Sequence, residues 1–403
     1  MMKYTKSINR NFSFSHLFLF LILVINAPLL LSEPVELAGR LEAISVADQK
    51  SGEHRVWVHD WNGGLYSRAM LFNSDDGDML GSVETGWEGV KLDISSAGDR
   101  IYNLGLYMSR GYHGKRTDVL EYYDRSSLQV LGEIAVPAKA PRGLPNTNHS
   151  DFSDDEHFLF VSFFTPASSV GIIDLRSDKY VGEIETAGCA YVMAGGDRRF
   201  YTICGDGSLL SITIDDSGKE LSRTRLRDVF DAINDPLHGT GVRSDDLWYF
   251  VTHLGELHTI DVSGAEIEHK VLWSTGEKSS ESTAWVPAEM FQHIAVHKGK
   301  QQLFVLLGDQ DLLPKGGGPD YHRKQGTEVW VYDLQSQTRI KRIELPGPMN
   351  NIAVSQDGNP ALYASSLWTP KVYVYNALTG KLQSDFETTY ASMNTLLQPV
   401  EPR

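Results

Sequence analysis

One unit recurs along this chain too often to suit most folds. It consists of a short strand-like run ending in Asp or Asn, a polar turn, a second strand, another polar turn and an apolar strand. The first part appears at Ala69–Asn73, Val119–Asp124, Val170–Asp174, Ser208–Asp215, Glu256–Asp261, Glu328–Asp333 and Lys371–Asn376. Its clearest copies are Val329-Trp-Val-Tyr-Asp333 and Val372-Tyr-Val-Tyr-Asn376, and successive anchors lie 41 to 72 residues apart. The second part recurs between them, as in Ser96-Ala-Gly-Asp-Arg-Ile-Tyr102, Ser153-Asp-Asp-Glu-His-Phe-Leu159 and Gly195-Gly-Asp-Arg-Arg-Phe-Tyr201. Further copies start at Gln49, Ser244, His297 and Ser355. Gly, Asp, Asn and Ser supply the turns, while β-branched and aromatic residues suit a pleated, half-buried surface. Short, regularly spaced strands with almost no helical periodicity predict an all-β chain, a seven-bladed β-propeller. A lone four-stranded blade exposes both faces, so the copies must stack and bury them against one another.

This reading replaces the two or three domains that 403 residues would otherwise suggest. It gives a single propeller domain over 33–403, with residues 33–68 supplying strands that close the ring near 371–397. Only Ser222–Asn234, with Leu226, Phe230 and Ile233 at helical spacing, predicts a short helix. Ser274–Phe291 and Gly308–Gly326, the latter holding Gly316-Gly-Gly318, are long insertions of the kind that carry contacts. Residues 1–32 predict a cleaved signal peptide: Lys3, Lys6 and Arg10 precede the apolar run Leu17–Leu31, 15 residues against the roughly 20 of a spanning helix. Its loss would take the net charge from −15 to −18, leave no membrane span and place the mature chain in an oxidising space. So acidic a chain offers no basic surplus for nucleic acid.

Chemistry-bearing motifs are sparse. Two cysteines are too few for a disulfide framework or a four-thiolate zinc site. Cys189 and Cys204 flank Gly196-Asp197 symmetrically, so a hairpin turning there sets them opposite each other and predicts a disulfide; the alternative is two buried thiols. None of the 13 histidines falls in His-Glu-x-x-His, and neither Cys-x-x-Cys nor Gly-x-Ser-x-Gly occurs. His253 and His258, on strands with a turn between, read as separate polar contacts rather than metal ligands. Gly205-Asp-Gly207 lies between two strands and reads as a hairpin turn, since a dinucleotide cradle needs a helix N-terminus there. Asn148-His-Ser150 matches a glycosylation sequon. Asp75-Asp76-Gly77 and Asp154-Asp155 read as solvated turns rather than calcium sites. No metal site and no catalytic residue is expected in this chain.

From about residue 50 to 397 the chain resembles the heavy subunits of the quinoprotein amine dehydrogenases, the methylamine and aromatic amine dehydrogenases. The resemblance is carried in order by Arg55-Val-Trp-Val-His-Asp60, Arg116-Thr-Asp118 running into Tyr122-Tyr-Asp124, Val170-Gly-Ile-Ile-Asp174, and Cys189 with Cys204-Gly-Asp-Gly-Ser-Leu209. It continues through Gln292-His-Ile-Ala-Val-His297, Asp309-Gln310, His322-Arg-Lys324, Val354-Ser-Gln-Asp357 and Leu362-Tyr-Ala364. What it implies is a periplasmic propeller in a two-heavy, two-light tetramer. The cofactor, tryptophan tryptophylquinone, would belong to the light subunit and none to this chain. A primary amine would leave as aldehyde and ammonia, and electrons would pass to a small copper protein or cytochrome c. The heavy subunit would scaffold the light one and wall the substrate channel. In methylamine-type relatives the loop after the strand matching Arg55–Asp60 places a bulky aromatic at that channel. Here the loop reads Trp61-Asn-Gly-Gly-Leu-Tyr66, with Gly64 at the matching place and Leu65 and Tyr66 beside it, which implies room for longer or aromatic amines. A stand-alone propeller, as a lactonase-like hydrolase or a binding scaffold, is the other reading the residues allow.

Overall fold

The Asp and Asn anchors prove to be hydrogen-bonding devices, and they explain why the chain turns where it does. In the computed structural model every anchor's side-chain oxygen takes the backbone N–H of the residue two or three further on: Asn73 from Asp75, Asp124 from Ser126 and Ser127, Asp174 from Arg176 and Ser177, Asp215 from Ser217, Asp261 from Ser263, Asp333 from Ser336 and Asn376 from Thr379. Such a side chain closes a tight turn that the backbone alone would leave unsatisfied. The structure describes residues 46, 49–61, 66–87, 89, 91–96, 98–141, 145–275, 285–288, 291–309, 325–389 and 393–401, all within the unit Ile44–Arg403.

All-β architecture follows, with one 3₁₀ turn at Thr147–His149 among the described residues. The strands β1 (Arg55–Asp60), β2 (Tyr66–Asn73) and β3 (Met79–Trp87) form an antiparallel run, as do β4 (Leu92–Ile94), β5 (Arg100–Arg110), β6 (His113–Asp124) and β7 (Val130–Val136). Later runs are β8 (Ser150–Phe152), β9 (Phe158–Phe163), β10 (Ser169–Asp174) and β11 (Lys179–Glu185), then β12 (Cys189–Ala194), β13 (Arg199–Cys204), β14 (Leu209–Ile214) and β15 (Glu220–Leu226). These are followed by β16 (Val242–Ser244), β17 (Leu247–Val251), β18 (Glu256–Asp261) and β19 (Glu268–Ser274). The next sheet holds β20 (Trp285–Pro287), β21 (Ile294–His297), β22 (Gln302–Asp309), β23 (Gly326–Asp333) and β24 (Thr338–Met349). β25 (Asn351–Val354), β26 (Ala361–Ser365), β27 (Lys371–Asn376) and β28 (Leu382–Glu387) precede β29 (Asn394–Val400), which returns to pair antiparallel with β1. The anchored runs of the sequence are thus β2, β6, β10, β14, β18, β23 and β27. The first two runs share one sheet through a single parallel pairing, Gly86 with Leu106. Gly86 has φ +78°, and a Cβ there would lie 2.8 Å from the Leu106 carbonyl oxygen, so only glycine permits that approach.

Apolar side chains fill the gaps between successive sheets. Phe158, Phe160 and Ile172 meet Val192, Phe200 and Ile212 of the next sheet, and the Phe160 and Phe200 rings lie 4.9 Å apart. Tyr201 and Ile203 meet Trp248 and Phe250; Tyr249 and Leu257 meet Leu303 and Trp330; Leu306 and Val331 meet Ile352 and Leu362. Tyr363 and Val372 then meet Val56, Met70 and Leu397, returning to the first run. Strands buried on both faces lose the in–out alternation of a half-exposed sheet, which is why β9, β22 and β26 read as nearly continuous apolar runs.

The helix expected over Ser222–Asn234 is not formed. Glu220–Leu226 is the outermost strand β15, paired with β14 from Leu209–Leu226 to Ile214–Glu220. Pairing there satisfies the open edge of β14, a tertiary gain that outweighs a weak local helical preference. Ile233 is 88% exposed, and Asp231 Oδ1 takes the Ile233 and Asn234 N–H groups in another side-chain-closed turn.

Asp174, Asp215, Asp261 and Asp333 are held below the usual carboxylate range, and for the last three the turn hydrogen bonds they accept are the largest cause. A carboxyl depressed in the native state contributes stability above its unfolded pKa and loses it as pH falls through the native value. The thermal midpoint should therefore drop steeply below about pH 4. Asp261→Asn, which keeps the acceptor, should leave stability at pH 7 within about 0.5 kcal/mol, whereas Asp261→Ala should cost about 1 kcal/mol in urea unfolding. Equal losses in the two variants would show that the turn bond is not what Asp261 contributes.

Candidate functional site

The first strands of the runs lie nearest one another, and polar side chains stitch them across. Gln398 on β29 donates to the Leu92 carbonyl of β4 (2.9 Å) and accepts the Leu92 N–H. Asp93 on β4 accepts Ser150 Oγ of β8 (2.6 Å), and Asp151 accepts the Ala194 N–H of β12 (2.8 Å). Trp248 Nε1 donates to the Ala194 carbonyl (3.0 Å). Gln292, ahead of β21, exchanges both of its amide bonds with Leu397, and Asn351 Nδ2 donates to the Asn394 carbonyl (2.9 Å). Between these strands lies a cavity of about 280 Å³, whose lining includes Lys91, Asp151, Arg243, Gln292 and Lys298.

Asp151 faces a low-dielectric interior, and burial pushes its carboxyl up to about 6 against the opposing pull of Lys91 and the Ala194 amide. Because the native state then binds this proton more tightly than the unfolded chain, stability attributable to Asp151 falls as pH rises from about 4 to about 6 and is level above. Asp151→Asn keeps an acceptor and removes the ionisation. Its melting temperature should gain on that of the unmodified chain between pH 4 and pH 7; a gap that does not change with pH would mean Asp151 carries no such charge.

At the end where the third strands begin, connections of mixed length join the strands, from the tight β5–β6 hairpin at Gly111-Tyr112 to the longer segment between β15 and β16. The β1–β2 connection is clamped at its base. Buried Asp60 accepts Arg68 Nε (3.2 Å) and Nη2 (3.1 Å) with one oxygen and the Met393 N–H with the other, and the Trp61 N–H reaches the Met393 carbonyl. Tyr66 opens β2 half exposed, its ring centroid 6.2 Å from that of Tyr112 at the tip of the β5–β6 hairpin. Of the three residues expected at a channel, Tyr66 therefore stands at this end beside an aromatic from another run; Gly64 and Leu65 lie outside the described residues, as do parts of both insertions. Tyr112 carried no signal in the sequence, because its proximity depends on hairpin length rather than on any motif.

Cys189 and Cys204 are directly paired across β12 and β13 and form a disulfide. The hairpin is not symmetric throughout, since a bulge at Tyr191, with φ +64°, shifts the register before Met193 meets Tyr201. Among the described residues no group of three or more His, Cys, Asp or Glu side chains is placed to hold a metal ion. No described helix is long and apolar enough to cross a membrane.

A family model described as methylamine dehydrogenase heavy chain matches residues 53–392. The chain belongs to that family. It is accordingly a heavy subunit of an amine dehydrogenase. The methylamine dehydrogenase heavy chain of Methylorubrum extorquens is 27% identical over 332 residues, covering 81% of this chain and 78% of that one. The heavy chain of Methylophilus methylotrophus is 27% identical over 346 residues, covering 84% and 81%. Among solved structures, a functionally unknown protein from Desulfotomaculum acetoxidans superposes with TM-score 0.59 at 12% identity over 87% of this chain and all of the other. A dihydro-heme d1 dehydrogenase gives 0.50 at 15% identity over 85% of this chain and 65% of its own. At such identities these two speak to a propeller-like fold alone.

Proposed function

We propose that this chain is the non-catalytic large subunit of a periplasmic amine dehydrogenase, a seven-bladed propeller that grips a quinone-bearing light subunit and forms part of the path by which a primary amine reaches it. The observation that carries this reading is where apolar side chains stay exposed. Most of them, including Met79, Val130, Leu221, Val271, Ile340 and Leu382, lie on outermost strands, where some exposure is ordinary. Tyr66, Tyr112, Ile233, Leu254 and Trp368 do not. All five lie at the end where third strands begin, Tyr66 as the first residue of β2 and the others on connections, and Ile233 and Trp368 are 88% and 65% exposed; on the turns of the anchored end Leu378, at 39%, is the one such side chain among the described residues. Apolar side chains gathered at one end of a rigid scaffold mark a surface built to be covered.

The partner's tryptophan tryptophylquinone would supply the two-electron oxidation of the amine to aldehyde and ammonia. Electrons would then leave through a small copper protein or cytochrome c, in a complex of two heavy and two light subunits. This chain's contribution is shape. Asp60 and Arg68 are bonded to each other on either side of the segment that carries Gly64 and Leu65. The stapled Cys189–Cys204 hairpin and the expected leader at residues 1–32 both suit an oxidising, exported setting.

Purified alone, the chain should show no amine-dependent dye reduction, and activity should appear only with the light subunit; turnover by the isolated chain would overthrow the division of labour. Within the complex, Gly64→Phe should lower kcat/KM for phenethylamine at least tenfold relative to methylamine. An unchanged ratio would remove Gly64 from the path.

A further inference from the structure

A second feature of the same end is not apolar. The connection from β15 to β16 and the start of β18 enclose a cavity of about 360 Å³ lined by Asp228, Asp231, Asp235, Glu256 and His258 together with Val229, Phe230 and Val271. Four carboxylates converge on it, and neither lysine nor arginine is among the residues that line it. Acidic residues alone would be an ordinary solvated surface. His258 distinguishes this place: it is 2% exposed, yet its Nε2 has no hydrogen-bond partner within the fold, while Nδ1 lies 2.9 Å from His269 Nε2. A buried ring nitrogen left unpaired forfeits a hydrogen bond, and this one belongs to a residue that lines a cavity from which a donor could reach it. The nearest charged atom to Nε2 is a Glu256 carboxylate oxygen at 3.7 Å, beyond hydrogen-bond distance.

The walls are fixed in place. Asp235 ties the two loops together, accepting Thr252 Oγ1 (2.9 Å) and the Leu254 N–H (2.7 Å). The Val229 N–H bonds the Gly207 carbonyl (2.9 Å), and Gly207, at φ +83°, sits so close that a Cβ would meet the Phe230 carbonyl oxygen at 2.3 Å. Burial keeps both His258 and His269 below the ordinary histidine range, so neither ring supplies a positive charge at neutral pH. The cavity therefore presents acceptors and negative charge without a cation of its own, between the exposed side chains of Ile233 and Leu254.

We propose that this cavity is a socket for one primary ammonium group, the side chain of a lysine on the light subunit, seated as that subunit covers the loops. The inference rests on the subunit reading given above. An ammonium group has three N–H donors, and His258 Nε2, Glu256 and Asp228 offer three acceptors of the right kind. Its arrival selects the tautomer in which His258 Nδ1 donates to His269 and Nε2 turns its lone pair to the cavity. Covering by the partner's apolar surface would exclude water and strengthen a contact that is weak while exposed.

Asp228→Asn with Glu256→Gln tests the socket without threatening the fold, because Glu256 is half exposed and Asp228, at φ +56°, has a backbone that asparagine also tolerates. Heavy–light affinity should be measured by titration at several sodium chloride concentrations, with n-butylammonium chloride as a probe for the lysine side chain. The double variant should raise Kd at least tenfold at low salt and flatten its salt dependence, with unchanged melting temperature of the isolated chain. Butylammonium should weaken the wild-type complex more than sodium chloride at equal ionic strength and lose that advantage in the variant; His258→Phe should weaken binding in the same direction. A Kd within twofold of wild type, or butylammonium acting only as salt does, would overturn the socket while leaving the subunit reading intact. A wild-type chain that captures no light subunit would take down the subunit reading and the socket together.

Discussion

Burial of both faces of every sheet is the constraint on which the rest of the molecule depends. A four-stranded sheet with Phe, Val, Ile and Leu on either side cannot exist in water by itself, and each of these sheets finds its second face only on the next. The series stays open unless the last sheet meets the first, and two features accomplish that. β29 adds itself to β1, and Tyr363 with Val372 packs against Val56, Met70 and Leu397. Where first strands crowd together, apolar packing gives way to directed bonds from Gln292, Gln398, Asn351 and Asp93, each tied to a particular neighbour. Apolar faces make the association strong, and the polar inner seam makes it specific.

That division explains what could be read from the sequence. The turn devices are local: an Asp or Asn accepting an N–H two or three residues on leaves its mark within a few positions, so all seven anchored strands were visible as a repeat. The opposition of Cys189 and Cys204 was equally local, although the bulge at Tyr191 was not foreseeable from spacing. Ser222–Asn234 misled because an outermost strand is polar on its exposed face. Leu226, Phe230 and Ile233 fall at helical spacing, yet what they meet is set by the edge of β14 and by Gly207, both distant from any helical face.

The end where third strands begin was less legible for the same reason. Gly64, Leu65 and Tyr66 came from a resemblance rather than from any pattern in their own residues. Tyr112 gave no sign at all. His258 shows in the sequence only through its spacing from His253, whereas what marks it is an unpaired ring nitrogen on a residue that shares a cavity with residues from another loop, a relation between elements that spacing along one chain does not encode.

Loops at one end of such a scaffold differ physically from the turns at the other. At the anchored end the side chains spend their hydrogen bonds on the adjacent backbone, which leaves them unavailable to a partner. At the opposite end some carboxylates serve longer-range purposes, Asp60 holding Arg68 and the segment at Met393 and Asp235 holding Thr252 and Leu254, while Asp206 and Asp231 close turns as the anchors do. Loops braced in this way can expose Trp368, Ile233 and Leu254, whose backbone N–H groups are met by Ser366, Asp231 and Asp235. A surface that is apolar, acidic in one cavity and rigid loses little conformational entropy when covered, and low ordering cost lets a modest contact area hold a subunit durably. Rigidity in the scaffold, supplied here by Asp60, Arg68 and Asp235, thus lowers the ordering cost of any association at these loops.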